Sequence, residues 1–86
     1  MVSEFLDDDR GFAAWLKDHP RGFVLNCDRQ PNAHYLISHR VRCLAKLPPR
    51  TGDYLKVCAA SVDDLDMWAF KKVGATPDRC TVCNPG

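Results

Sequence analysis

Apolar and polar positions along this 86-residue chain fall into two helical and three extended patterns. Phe12, Trp15 and Leu16 recur at i, i+3 and i+4, which places them on one face of a helix. Asp8 or Asp9 stands where an N-cap is needed. His19-Pro20 closes the segment, because the residue before proline is pushed out of helical backbone. The pattern predicts a helix over about Arg10 to Asp18, preceded by a lead-in at residues 1–8 whose Phe5 and Leu6 can pack on the domain.

The first strand is predicted over Gly22 to Cys27, and the polar Asp28 to Ala33, with Pro31 and Asn32, reads as its hairpin loop. Tyr35 to Arg40 alternates as a second strand, with Tyr35, Ile37 and His39 on one face and Leu36, Ser38 and Arg40 on the other. Pro48-Pro49-Arg50-Thr51-Gly52-Asp53 is a loop by composition. A third strand covers Tyr54 to Ala59, with Leu55 and Val57 opposite Tyr54, Lys56 and Cys58. Ser61 and Asp64 match a capping box, opening a second helix from Val62 to about Lys72 that turns Val62, Leu65, Trp68 and Ala69 to the core. Gly74 suits its C-terminal cap. These patterns predict an α+β fold: a small three-stranded antiparallel sheet with two helices, in one domain over residues 1–86.

Length changes the picture. A chain this short buries only roughly 60–65% of its unfolded surface, so its apolar core is a marginal source of stability. A composition of 45% apolar and 27% charged residues excludes a disordered chain, yet apolar runs reach only three to five residues. They are too short to cross a membrane, and no pattern of a secretory signal stands at the start. The expectation is a cytoplasmic protein with no membrane partner.

A metal ion can supply the missing stability. His39-x3-Cys43 is separated by thirty-six residues from Cys80-Thr81-Val82-Cys83, a Cys3His set with the paired short spacings of structural zinc sites. Four filled positions leave no place for a reactive water, so Zn2+ here would hold structure. The residues from Thr76 to Gly86 are nearly devoid of apolar side chains, and metal alone is expected to fix them. Other readings remain open: His39 bonded to a carbonyl in the core, Cys43 as a small apolar filler, Cys80 and Cys83 as a redox pair, or a disulfide framework. The odd count of five cysteines and the absent signal oppose the last of these. Cys27 and Cys58 suit strand packing, and either would substitute if His39 does not ligate.

No catalytic set is legible. His19, His34 and His39 lack a serine or cysteine in a recognisable arrangement, Gly52 and Gly74 are isolated, and Asp63, Asp64 and Asp66 fit helix capping. The net charge of +1 is unevenly spread, however. Between residues 21 and 56, Arg21, Arg29, Arg40, Arg42, Lys46, Arg50 and Lys56 face only Asp28 and Asp53, while both flanks are acidic. Such a field suits an anionic partner. Arg21, Arg29, Asn32, Tyr35, Arg40, Arg42 and Arg50 are the candidate contacts to double-stranded DNA, chiefly to phosphates. Solvated surface charge is the plainer reading of each arginine alone. A rival reading is a zinc-held regulatory domain docking on other domains of its parent protein through Phe5, Leu6 and the acidic first twenty residues.

The stretch from Gly22 to Cys43, with its Asn26-x-x-Arg29, Tyr35 and His39-Arg40-x-x-Cys43, is joined by Tyr54 to Cys58, the Trp68 helix and Cys80-x-x-Cys83. Over about residues 11–83 it resembles the N-terminal head of McrA-like, modification-dependent (type IV) HNH restriction endonucleases of actinomycetes. The resemblance implies a DNA-binding accessory module of a restriction system, with zinc at His39, Cys43, Cys80 and Cys83. No HNH motif is present in these residues, so cleavage would reside elsewhere in the endonuclease.

Overall fold

The computed structural model describes residues 1–44 and 51–82. In chain order the elements are β1 (Val2–Phe5), α1 (Asp9–Asp18), β2 (Phe23–Asp28), β3 (Leu36–Arg40), α2 (Val41–Leu44), β4 (Tyr54–Ala59), α3 (Val62–Val73) and β5 (Asp78–Arg79). The strands form one sheet in the order β1-β4-β2-β3-β5. Three neighbouring pairs are antiparallel, and β5 joins β3 in parallel.

This corrects the expected three-stranded antiparallel sheet with two helices: the sheet has five strands and is mixed, and a third helix is present. The central hairpin and its partner strand lie where the alternation placed them. The additions come at both ends of the chain. The lead-in is an edge strand, with Val2 opposite Ala59 and Phe5 opposite Lys56. Near the other end, Asp78 and Arg79 align beside Ile37 and Ser38.

Each sheet face carries its own core. Leu25, Cys27, Leu36, Leu55, Val57 and Ala59 meet Leu65, Trp68 and Ala69 of α3. On the opposite face, Val24 and Cys58 meet Phe12 of α1 and Val41 of α2, with Phe5, Trp15, Leu16 and Leu44 packed around them. Strand periodicity of two sends alternate residues to the two layers, so β2 and β4 are apolar on both faces, as central strands must be. Trp15 and Leu16 therefore reach the core as their spacing predicts, though only Phe12 in α1 is fully buried.

The helix ends follow the capping rules. Asp8 accepts a hydrogen bond from Gly11 N at 2.9 Å, and Ser61 Oγ accepts from Asp64 N at 3.3 Å. The Asp64 carboxylate does not return the bond to Ser61; it meets the Met1 ammonium at 3.1 Å. Gly74 caps α3 in the left-handed region at φ 70°, where a side chain would be strained. Of the loop expected over residues 48–53, Pro48, Pro49 and Arg50 lie outside the described residues. Thr51 is clasped by Asp9, whose Oδ1 accepts from its N at 2.6 Å and its Oγ1 at 2.7 Å. No described helix is long and apolar enough to cross a membrane.

Candidate metal centre

His39, Cys43 and Cys80 are brought together from three elements. His39 sits on the β3 face that carries Ile37, paired in register with Val24. Directly after β3 the chain turns into the single turn of α2, where Val41 N donates to Gly22 O at 3.0 Å and Val41 is buried in the second core. That anchor fixes Cys43 two residues on. Cys80 follows β5, and its own N–H donates to Ser38 O at 2.9 Å. The ligand atoms of the three residues lie within 4.8 Å of one another. In a tetrahedral zinc site, bond lengths of about 2.0–2.3 Å set donors about 3.5–3.8 Å apart, so a small side-chain adjustment closes the set around an ion.

The donor set fits a metal ion on its own chemistry. His39 Nδ1 is buried without a hydrogen-bond partner, a costly state for a ring nitrogen unless something else occupies its lone pair or proton. Ser38 Oγ, the other such atom among the described residues, belongs to the opposite face of β3. Burial, and secondarily the charge of Lys56, pushes the His39 imidazole toward its neutral form, which is the ligating one. The group could hold a metal ion. Cys83 lies outside the described residues.

As far as the described residues run, the C-terminal segment is held by protein contacts, against the expectation that metal alone would fix it. Arg79 forms a bidentate pair with Asp66 of α3 at 2.8 and 2.7 Å, both side chains being less than a third exposed. With the β3–β5 pairing, this delivers Cys80 to the cluster through protein contacts alone.

Cys27 and Cys58 are not substitutes for His39. Cys27 faces the α3 layer, and Cys58 lies two strands from His39, across Val24. Both are fully buried. Desolvation pushes their thiols up, to about 11 for Cys27 and about 12 for Cys58, leaving almost no thiolate near neutral pH. Iodoacetamide is therefore expected to spare both in the folded protein and modify them in denaturant, as read by peptide mass analysis. In the unfolded chain these thiols ionise near 9.0, so folding stability falls as pH rises from there toward the folded-state values.

The structure divides the seven candidate DNA contacts. Arg21 is exposed in the turn before β2, Arg42 is exposed on α2, and the Arg40 guanidinium lies 5.6 Å from the centre of the Phe23 ring. The Val41–Gly22 hydrogen bond draws these segments together beside the metal group. Arg29, Asn32 and Tyr35 are gathered at the other end of the hairpin, the length of β2 away, roughly 17 Å. Asp7 takes Arg29 in a bidentate pair at 2.8 and 2.6 Å, and this hydrogen bonding holds the Asp7 carboxyl below its ordinary range. Asn32 is spent on its own loop, donating to Asp28 Oδ2 at 2.7 Å and accepting from His34 N at 2.9 Å. The Tyr35 hydroxyl accepts from Asn26 Nδ2 at 2.8 Å. Arg50 lies outside the described residues.

One cation was not singled out by sequence reasoning. Lys56 is half-buried between the Phe12 and Tyr54 rings, 5.9 and 5.6 Å from their centres, and donates to Asn26 Oδ1 at 2.5 Å. Burial pushes its pKa down. The signal was its strand position, which puts a lysine on the same face as Cys58. No protein-family model, curated protein or solved structure matches the chain.

Proposed function

We propose that this chain is a zinc-held α+β module that binds duplex DNA through its phosphates and carries no catalytic group of its own. In this reading Cys83 completes the coordination begun by His39, Cys43 and Cys80. The module serves as the accessory head of a modification-dependent restriction endonuclease, the role its resemblance implies. One observation carries the reading: Arg21, Arg40 and Arg42 gather on the strand end and turn that the metal group anchors. Arginines on a rigid turn are preorganised for phosphate, since little side-chain and loop freedom remains to be lost on binding.

Titration with an unmodified duplex at two salt concentrations tests it. Each phosphate contact contributes about 0.9 to the slope of log affinity against log salt. Arg21→Ala and Arg42→Ala are each expected to lower that slope by about 0.9 and to weaken binding. Arg29→Ala, whose charge Asp7 already offsets, is expected to change it far less. Unaltered affinity in both Arg21 and Arg42 variants would sink the proposal.

A second reading, docking on another part of a parent protein, is favoured by α3. Met67 and Phe70 are 59% and 67% exposed, three residues apart on the outer side of the helix. Saturable binding of the remaining parent chain without DNA, lost in Phe70→Ser, would favour this over the first reading.

A further inference from the structure

At the end of the sheet away from the metal group, the close of β1, the start of β4, the hairpin loop and the C-terminal half of α3 line a half-open pocket of about 460 Å3. That volume falls within the range of small-molecule sites. Its apolar wall is made by Leu6, Leu55 and Trp68, and its charged rim by Glu4, Arg29 and Lys72.

The rim is built rather than incidental. Trp68 Nε1 donates to Glu4 Oε2 at 3.2 Å, so the one acid is fixed against the wall and its charge is partly engaged. Arg29 is held by both oxygens of Asp7. Asp7 itself has a left-handed backbone at φ 52°, uncommon outside glycine. Lys72 is exposed and pairs with no described carboxylate. An apolar wall, a clamped acid and arginine, and one uncommitted ammonium select for a ligand with an apolar body and a single negative group. Polar neutral molecules would gain nothing from the wall, and Glu4, with one oxygen already accepting from Trp68, repels an anionic group toward Lys72.

We infer that this pocket binds a small amphipathic monoanion, an aryl or alkyl carboxylate in chemical class, with its apolar body against Trp68 and Leu55 and its carboxylate on Lys72. The site is independent of the DNA-binding reading, because Arg21 and Arg42 stand at the opposite end of the hairpin.

The test uses 4-phenylbutanoate and its neutral counterpart 4-phenylbutanamide as probes, followed by the Trp68 indole N–H resonance, which a Trp15→Phe variant distinguishes from that of Trp15. The carboxylate is expected to shift the Trp68 signal saturably and to bind more tightly than the amide. Lys72→Gln is expected to weaken the carboxylate about fivefold, the scale of one exposed charge pair, and to leave the amide unchanged. Because Lys72 is on the surface, the variant keeps its fold, which an unchanged spectrum elsewhere verifies. Absence of a saturable shift, equal binding of the two probes, or indifference of the carboxylate to Lys72→Gln would each overturn the inference.

Discussion

On the proposal that zinc occupies the His39 group, Cys80→Ser is expected to abolish stoichiometric zinc binding and, with it, cooperative unfolding. Cys80 is one of three donors whose ligand atoms lie within 4.8 Å, and a serine hydroxyl does not replace a thiolate at a tetrahedral zinc. Apparent binding free energies of small structural zinc sites are about 10–16 kcal/mol near neutral pH. The whole net stability expected of 86 residues is about 4–13 kcal/mol. On these magnitudes the proposed zinc would dominate. The β3–β5 pairing and the Arg79–Asp66 pair oppose the loss, but a partly exposed ion pair is worth about 1 kcal/mol and cannot offset it. Cys58→Ala is the control: it removes a thiol that faces the apolar core and lies two strands from His39, so zinc content should remain at one per chain. Metal analysis after gel filtration, with thermal unfolding of both variants, decides the matter. A folded, metal-free Cys80→Ser protein with an undiminished Tm would refute the structural role.

The elements that sequence reasoning located are those whose signal is local. Phe12, Trp15 and Leu16 repeat at helical spacing, Tyr54 to Ala59 alternates, and Ser61 to Gly74 carries both a start and a stop. The missed elements have no such signal. β1 is four residues with one turn of alternation, and β5 is two residues. Both exist because a neighbour offers unpaired backbone groups: β4 to β1, and β3 to β5. The single turn of α2 is held by Val41, through its buried side chain and its bond to Gly22, nineteen residues earlier in the chain. Strand number in a small sheet is thus a tertiary property, which is why three strands were expected where five are formed.

The candidate site divides along the same line. His39 and Cys43 are close in sequence, and a Cys-x-x-Cys pair signals a metal turn, so the grouping of His39, Cys43 and Cys80 could be read before the fold was known. The arginines could not be sorted that way. Arg29 is neutralised by Asp7, twenty-two residues distant in the chain, and Asn32 by its own loop; no periodicity encodes either contact. Segment charge therefore overstated the field at the hairpin loop and did not reveal that Arg21 and Arg42 stand next to the two residues joined by the Gly22–Val41 bond.

Leu65→Ala is expected to cost about 2–5 kcal/mol, a large part of what the fold retains. Leu65 is 0% exposed and stands where α3 meets Leu25, Val57 and their neighbours, so truncation leaves a cavity between a helix and a sheet that cannot readily collapse. Phe70→Ala on the same helix removes a larger side chain, yet Phe70 is 67% exposed and its loss should stay within about 0.5 kcal/mol. The reversal of size and effect is the test of which side of α3 packs on the sheet. In urea, Leu65→Ala should lower the midpoint with an unchanged m-value, the mark of lost packing in an unaltered fold. Zinc content of the folded fraction should not change, because Leu65 covers the sheet face opposite His39. Equal costs for the two substitutions would mean that α3 is not seated on Leu25 and Val57. A loss of zinc in folded Leu65→Ala would mean that the two faces of the sheet are not independent, and that the metal group depends on the α3 layer as well as on β3, α2 and β5.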